Sequence, residues 1–121
     1  MSRLIVHPVV HLELQTASLP QACAFYAQLF GWKAETIRTP SGISYLSLEL
    51  GEGVHGGLVE HEAESSAWLP YVEVPDVATT TERGRLLGAR VVLEPREGPA
   101  GWRSVLAVPA GARIALWQAK T

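Results

Sequence analysis

The chain has 121 residues, 47% of them hydrophobic, enough to bury a core in one domain or in two small modules sharing one. Ten basic residues against twelve acidic ones leave a formal charge of −2, which argues against a nucleic-acid partner held through its phosphates. No run approaches the roughly 18 apolar residues of a membrane span, no secretory leader is legible, and the single cysteine, Cys23, excludes an internal disulfide, so a cytoplasmic, reducing setting is expected.

Met1 to Pro8 reads as a short lead-in with His7 at the surface. Val10-His11-Leu12-Glu13-Leu14-Gln15 then alternates polar and apolar, the period of a half-buried strand. Ser18 predicts a helix N-cap with Gln21 as its capping-box partner, and Pro20 falls in the first turn, where a missing N–H costs little. Ala22, Phe25, Tyr26, Leu29 and Phe30 make an apolar stripe at helical spacing, Cys23 reads as a small core thiol, and Gly31 suits a left-handed stop. Trp32 to Arg38 predicts a strand, Thr39-Pro40-Ser41-Gly42 a turn, and Ile43 to Leu50 a second strand with Leu46, Leu48 and Leu50 on one face. Gly51-Glu52-Gly53 reads as a hairpin connection. Val54 to His61 follows as a strand whose Gly56-Gly57 pair predicts a bulge or a close approach.

Glu62 to Ala67 is polar and small, and residues 62–68 form the expected linker between modules at 1–61 and 69–121. Leu69 to Val74 restarts the alternation, with Pro70 near the strand start. Asp76 caps a predicted helix from Val77 to Leu87, closed by Gly88 and weakened by Thr79-Thr80-Thr81 and Gly84. Ala89 to Glu94 is a strand, Pro95 to Gly101 a loop, Trp102 to Val108 a strand, Pro109-Ala110-Gly111 a turn, and Ala112 to Ala119 a last strand. The order is strand, helix, three strands, then the same again, and His11-Leu12-Glu13-Leu14 parallels Tyr71-Val72-Glu73-Val74. An α+β fold of two βαβββ modules is expected, with curved mixed sheets around a shared concave cavity.

On these residues the chain resembles a known family. HLELQTASLPQACAFYAQLFGW is similar to the first module of the vicinal oxygen chelate superfamily, which includes glyoxalase I, bleomycin-resistance proteins and extradiol dioxygenases. WLPYVEVPDVATTTERGRLLGARVVLEP, with PAGARIALWQ, is similar to the second module, and the ending resembles that of small glyoxalase-like proteins. In metal-using members the resemblance implies one divalent ion held from four strands. Those positions fall on His11, on Gly57, on Leu69 (or Trp68 if the register slips by one) and on Ala115. One of the four keeps a donor, so no metal and no cofactor is expected. A non-standard set of His11 with His55 or His61, plus Glu13, is the alternative.

Parity sets the expected lining. With Leu12 and Leu14 on the helix side, His11 and Glu13 face the cavity; Tyr45, Ser47 and Glu49, then Tyr71 and Glu73, then Arg113, Ala115 and Trp117 follow by the same rule. His11, Glu13, Tyr45, Tyr71, Glu73, Arg113 and Trp117 are therefore the candidate ligand-binding residues, with Trp102 a further aromatic wall and Arg113 a partner for Glu13 or Glu73. Arg96, Glu97 and Arg103 read as ordinary loop and edge charges. No nucleophilic triad or phosphate cradle is legible; Glu13 or Glu73 is the candidate general base should the protein catalyse without metal. The expected function is binding of a small aromatic or cationic molecule, in a homodimer without nucleic-acid or membrane partners. The alternative is a metal-dependent lyase, isomerase or dioxygenase of glyoxalase type.

Overall fold

The computed structural model describes residues 7–38, 44–51, 54–60 and 66–120, with the backbone alone at Ser44 and Tyr45. The elements run β1 (Val9–Thr16), α1 (Leu19–Phe30), β2 (Ala34–Arg38), β3 (Ser44–Gly51), β4 (Val54–Glu60), β5 (Ala67–Glu73), α2 (Val77–Leu86), β6 (Arg90–Glu97), β7 (Gly101–Ala107) and β8 (Arg113–Ala119). The class is α+β with mixed strand pairing. Residues 11–69 form one compact unit, and residues 70–120 with 7–10 form the other. The Thr39–Gly42 turn, Glu52 and Gly53 of the hairpin, His61 and residues 62–65 of the linker lie outside the described residues.

In the first unit the strands lie in the order β2-β3-β4-β1, antiparallel except that β1 joins β4 in parallel. Leu14, Leu48 and Leu58 form the core, with Ala22, Cys23, Tyr26, Trp32, Leu46 and Leu50 packed around them. Each fully buried leucine side chain is worth about 2 kcal/mol of apolar transfer. The Gln21 N–H donates to Ser18 Oγ at 3.4 Å, as the N-cap predicts. The reciprocal arm of the capping box is replaced: the Ser18 N–H donates to Thr16 Oγ1 at 3.2 Å, and the Leu19 N–H to Glu60 Oε2 at 3.1 Å. Gly31 closes the helix at φ 73°, its N–H donating to Ala27 O. Only part of the expected stripe packs inward. Phe25, Leu29 and Phe30 stay more than half exposed, because the sheet accepts one narrow face of α1.

The glycine pair of β4 is a close approach and not a bulge. Register runs unbroken from Leu12 opposite Gly56 to Thr16 opposite Glu60, and the irregularity lies between Glu49 and Gly51. A Cβ on Gly56 would stand 2.7 Å from the Leu12 carbonyl oxygen, and one on Gly57 3.1 Å from His11 Nε2.

The second unit repeats the plan in the order β5-β8-β7-β6, with β5 and β8 parallel. Val74, Val77, Leu106 and Leu116 form its core beneath α2. Asp76 Oδ1 accepts the Thr79 N–H at 2.9 Å, and Gln118 Oε1 accepts the Val77 N–H at 2.8 Å. Two of the residues that weaken α2 intrinsically, Thr81 and Gly84, are those that let it dock. Thr81 is buried against Ser104, and Gly84 lies so close to Leu106 that a Cβ would stand 2.8 Å from its Cδ1. β6 runs on to Glu97, through Pro95 and beyond the expected loop start. It is the terminal strand of its unit and changes register between Leu93 and Arg96, where a proline removes no required ladder bond. Trp102 packs on the helix side with the α2 core, so it is not the aromatic wall that was expected.

The two units superpose in sequence at a spacing of 58. Leu14 opposite Leu58 matches Val72 opposite Leu116, and Glu13 opposite Gly57 matches Tyr71 opposite Ala115. Ser18 and Asp76 cap the two helices, while Glu60 and Gln118 hold the first helical N–H of each. The similarity of HLEL to YVEV implies a spacing of 60. The hydrogen-bond ladders make Glu13 the counterpart of Tyr71, and His11 the counterpart of Leu69.

Candidate functional site

The helix-free face of the first unit carries His11, Glu13 and Gln15 on β1, facing the same way as Gly57, its neighbours Ser47 and His55, and Glu49. The His11 ring lies over the α-carbon of Gly57, the register partner of Glu13. Any side chain at residue 57 would push this ring away. Glu13 is buried, and the Gln15 amide donates to its Oε2 at 3.3 Å. Burial pulls the His11 imidazole below its ordinary 6.5; the Glu13 charge pulls it back up, and His55 pushes it down. His11 therefore favours the neutral ring, with a carboxylate on the same strand face. His55 itself is exposed, and Tyr45 is placed by its backbone opposite Ile37.

The helix-free face of the second unit is ordered in rows by its ladders. One row runs Leu93, Val105, Ala115, Tyr71; the next runs Arg96, Arg103, Trp117, Glu73; a third holds Arg90, Ala107 and Arg113. Tyr71 is buried, its ring 6.4 Å from that of Trp117. The Trp117 indole is folded over Gly101, where a Cβ would stand 2.8 Å from the ring. Arg103, which reads on sequence as an ordinary loop or edge charge, reaches across β8 and donates from Nη1 to the Tyr71 hydroxyl at 2.8 Å. This diagonal passes the small side chain of Ala115, which leaves the room. Arg103 holds the position in β7 that Tyr45 holds in β3, a correspondence visible only once the 58-residue register is known. Glu73 and Arg113 are both exposed, and among the described residues Arg113 makes no ion pair with Glu73.

The strand positions that hold a divalent ion in metal-using relatives are filled here by residues that do not fit one. The 58-residue register selects Leu69 over Trp68 as the counterpart of His11; Leu69 is 3% exposed and Ala115 0%. Gly57 is covered by the His11 ring. One donor in four, with two apolar side chains, is no coordination set for a hard or borderline cation. Among the described residues no three His, Cys, Asp or Glu side chains converge as an alternative set, and His61 lies outside them. No described helix is long and apolar enough to cross a membrane.

Residues 10–117 match the model of the glyoxalase-like domain family. Among curated proteins the chain is 29% identical to CFP32 of Mycobacterium tuberculosis, named as a candidate glyoxylase, over 89% of this chain and 44% of that protein. It is 22% identical to the anthracycline biosynthesis protein DnrV of Streptomyces peucetius, over 98% of this chain and 49% of that one. The chain thus spans about half the length of the curated relatives it matches. Among solved structures, methylmalonyl-CoA epimerase from Mycobacterium tuberculosis superposes with a TM-score of 0.63 at 19% identity, over 98% of this chain and 94% of that one, a likeness of fold.

Proposed function

This chain belongs to the glyoxalase-like domain family, and from that premise we propose that it binds a small organic molecule on its helix-free sheet faces without a resident divalent ion. The observation that carries the reading is the packing at the four family positions. The His11 ring occupies the space above Gly57, and Leu69 and Ala115 offer no donor. Each unit carries a polar cluster of its own on its helix-free face, His11–Glu13–Gln15 on the first and Tyr71–Arg103 on the second, with the Trp117 indole beside the latter. Convergent polar groups among aromatic surfaces are the usual composition of an organic-ligand site. The names of CFP32 and DnrV, a candidate glyoxylase and a biosynthesis protein, agree with a small-molecule role.

Two further parts of the reading concern setting. Phe25, Leu29 and Phe30 expose a contiguous apolar strip of α1, which supports pairing with a second copy of the chain. The single thiol, partly buried, suits the reducing cytoplasm.

The test is elemental analysis of purified protein by inductively coupled plasma mass spectrometry, followed by ligand screening with and without EDTA. Metal far below one ion per chain is expected, with ligand-induced thermal shifts that survive EDTA and weaken in His11→Ala. One divalent ion per chain, lost in His11→Ala, would refute the reading and favour the metal-dependent lyase, isomerase or dioxygenase. Light scattering tests the pairing: a mass twice that of the chain is expected, falling to one chain in Phe25→Glu/Phe30→Glu.

A further inference from the structure

The arginines of this chain are not spread evenly. The helix-free face of the second unit carries Arg90, Arg96, Arg103 and Arg113 against one carboxylate, Glu73, on a chain whose overall charge is −2. Arg96 and Arg103 are direct cross-strand partners. Like charges placed opposite one another on a sheet repel and cost stability. Elsewhere Arg85 meets Glu82 and Glu94, and Lys120 meets Glu97, while among the described residues the exposed Lys33, Arg38 and Arg83 stand singly. Among the described residues no carboxylate comes within 4.0 Å of the guanidinium of Arg90, Arg96, Arg103 or Arg113.

Arg103 differs from a loose surface cation in being held. Its partly buried guanidinium is tethered through Nη1 to the hydroxyl of a buried tyrosine. The neighbouring indole of Trp117 is pinned over Gly101, which could not accept a Cβ without meeting the ring and the Gln118 carbonyl oxygen. Arg103 needs one of its five N–H groups for Tyr71, and the planar fork that remains matches the two oxygens of an oxyanion. Fixing the fork in advance removes much of the ordering cost of binding.

We propose that Arg103, backed by Arg96 and flanked by Tyr71 and Trp117, is an oxyanion subsite, and that the ligand of this protein is an organic acid whose carboxylate, enolate or phosphate sits on the guanidinium and whose apolar body lies on the indole. The proposal rests on the small-molecule reading above and names its ligand class. It reverses the charge expected from the paired glutamates: Glu73 stands at the far end of the Arg103 row, two strands away, or about 10 Å. It also accounts for a basic face that the sequence, read in order, scatters over a loop and three strands.

The experiment titrates the full chain with benzoate, benzamide, benzylammonium and inorganic phosphate, following backbone and Arg side-chain NMR shifts. Benzoate is expected to bind at least about tenfold tighter than its neutral isostere benzamide, the size of one charge-assisted contact. Shifts should centre on Arg103, Trp117 and Arg96, and benzylammonium should not bind there. Arg103→Gln should bring the acid-to-amide ratio to about one, and Arg103→Lys should restore part of it. Arg96→Gln, on the exposed terminal strand, should lower the ratio several-fold and serves should Arg103→Gln fail to fold. Phosphate competing with benzoate at the same residues supports a general oxyanion subsite. Equal binding of benzoate and benzamide, preference for benzylammonium, no binding of any probe, or a ratio unchanged in either Gln variant overturns the proposal. Benzamide or benzylammonium bound without acid preference removes the oxyanion and leaves the small-molecule reading standing. A stoichiometric divalent ion removes that reading and leaves the acid preference measurable.

Discussion

The buried hydroxyl pair beneath α2 makes a sharp prediction, because its protons can be placed. Thr81 Oγ1 donates to the Val77 carbonyl oxygen at 2.6 Å and lies 2.7 Å from Ser104 Oγ. A hydroxyl has one proton, so Ser104 must be the donor in the shared bond. Both residues are at most 1% exposed. Thr81→Val keeps the shape but takes away the acceptor of the buried Ser104 proton. An orphaned buried donor costs about 1–3 kcal/mol. The Val77 carbonyl remains satisfied, since it lies four residues before Thr81 in the same helix. Ser104→Ala removes the donor and leaves Thr81 bonded to Val77, so the loss should be about 0.5–1 kcal/mol, in the range of one net hydrogen bond. In Thr81→Val/Ser104→Ala nothing is orphaned, and the double variant should be about 1 kcal/mol more stable than the sum of the singles implies. Urea unfolding of all four proteins, followed by tryptophan fluorescence, measures the cycle. Ser104→Ala costing as much as Thr81→Val, or strict additivity, would refute the proton assignment.

Two other outcomes follow from the strand faces. His11 has a folded-state pKa below its ordinary value, so the unfolded chain binds the proton more tightly; stability is full above about pH 6.5 and is lost as pH falls from there through the folded pKa. Urea midpoints across this range should show the loss, and His11→Gln should flatten it; an identical pH slope in the variant would refute the assignment to His11. Gly101→Ala should cost about 2–3 kcal/mol, the upper range of overpacking, because one obstacle is the backbone oxygen of Gln118. A thermal midpoint within a degree of wild type would show that Trp117 is not held there.

The elements were largely legible from the chain alone. Ser18, Gly31, Asp76 and Gly88 punctuate the helices, and backbone chemistry at caps and stops depends on the residue itself. Pro95 misled because its tolerance depends on lying in the terminal strand of its unit, beside a register change, which is a fact about neighbours. Trp102 misled because the strand starts at Gly101 and sets its parity by pairing Trp102 with Gln118.

Among the candidate residues, sequence correctly separated the Leu14 face from the Glu13 face and the Leu116 face from the Trp117 face. Alternation carries that information locally, since a strand has a period of two. The pairing of strands is another matter. Sliding a strand by two residues keeps every side chain on its own face and changes every partner, so HLEL and YVEV look equivalent while the ladders set Glu13 against Tyr71. Which face a residue takes was written in its nearest neighbours. That Arg103 meets Tyr71, and that His11 rests on Gly57, was decided by hydrogen bonds between segments more than 30 residues apart.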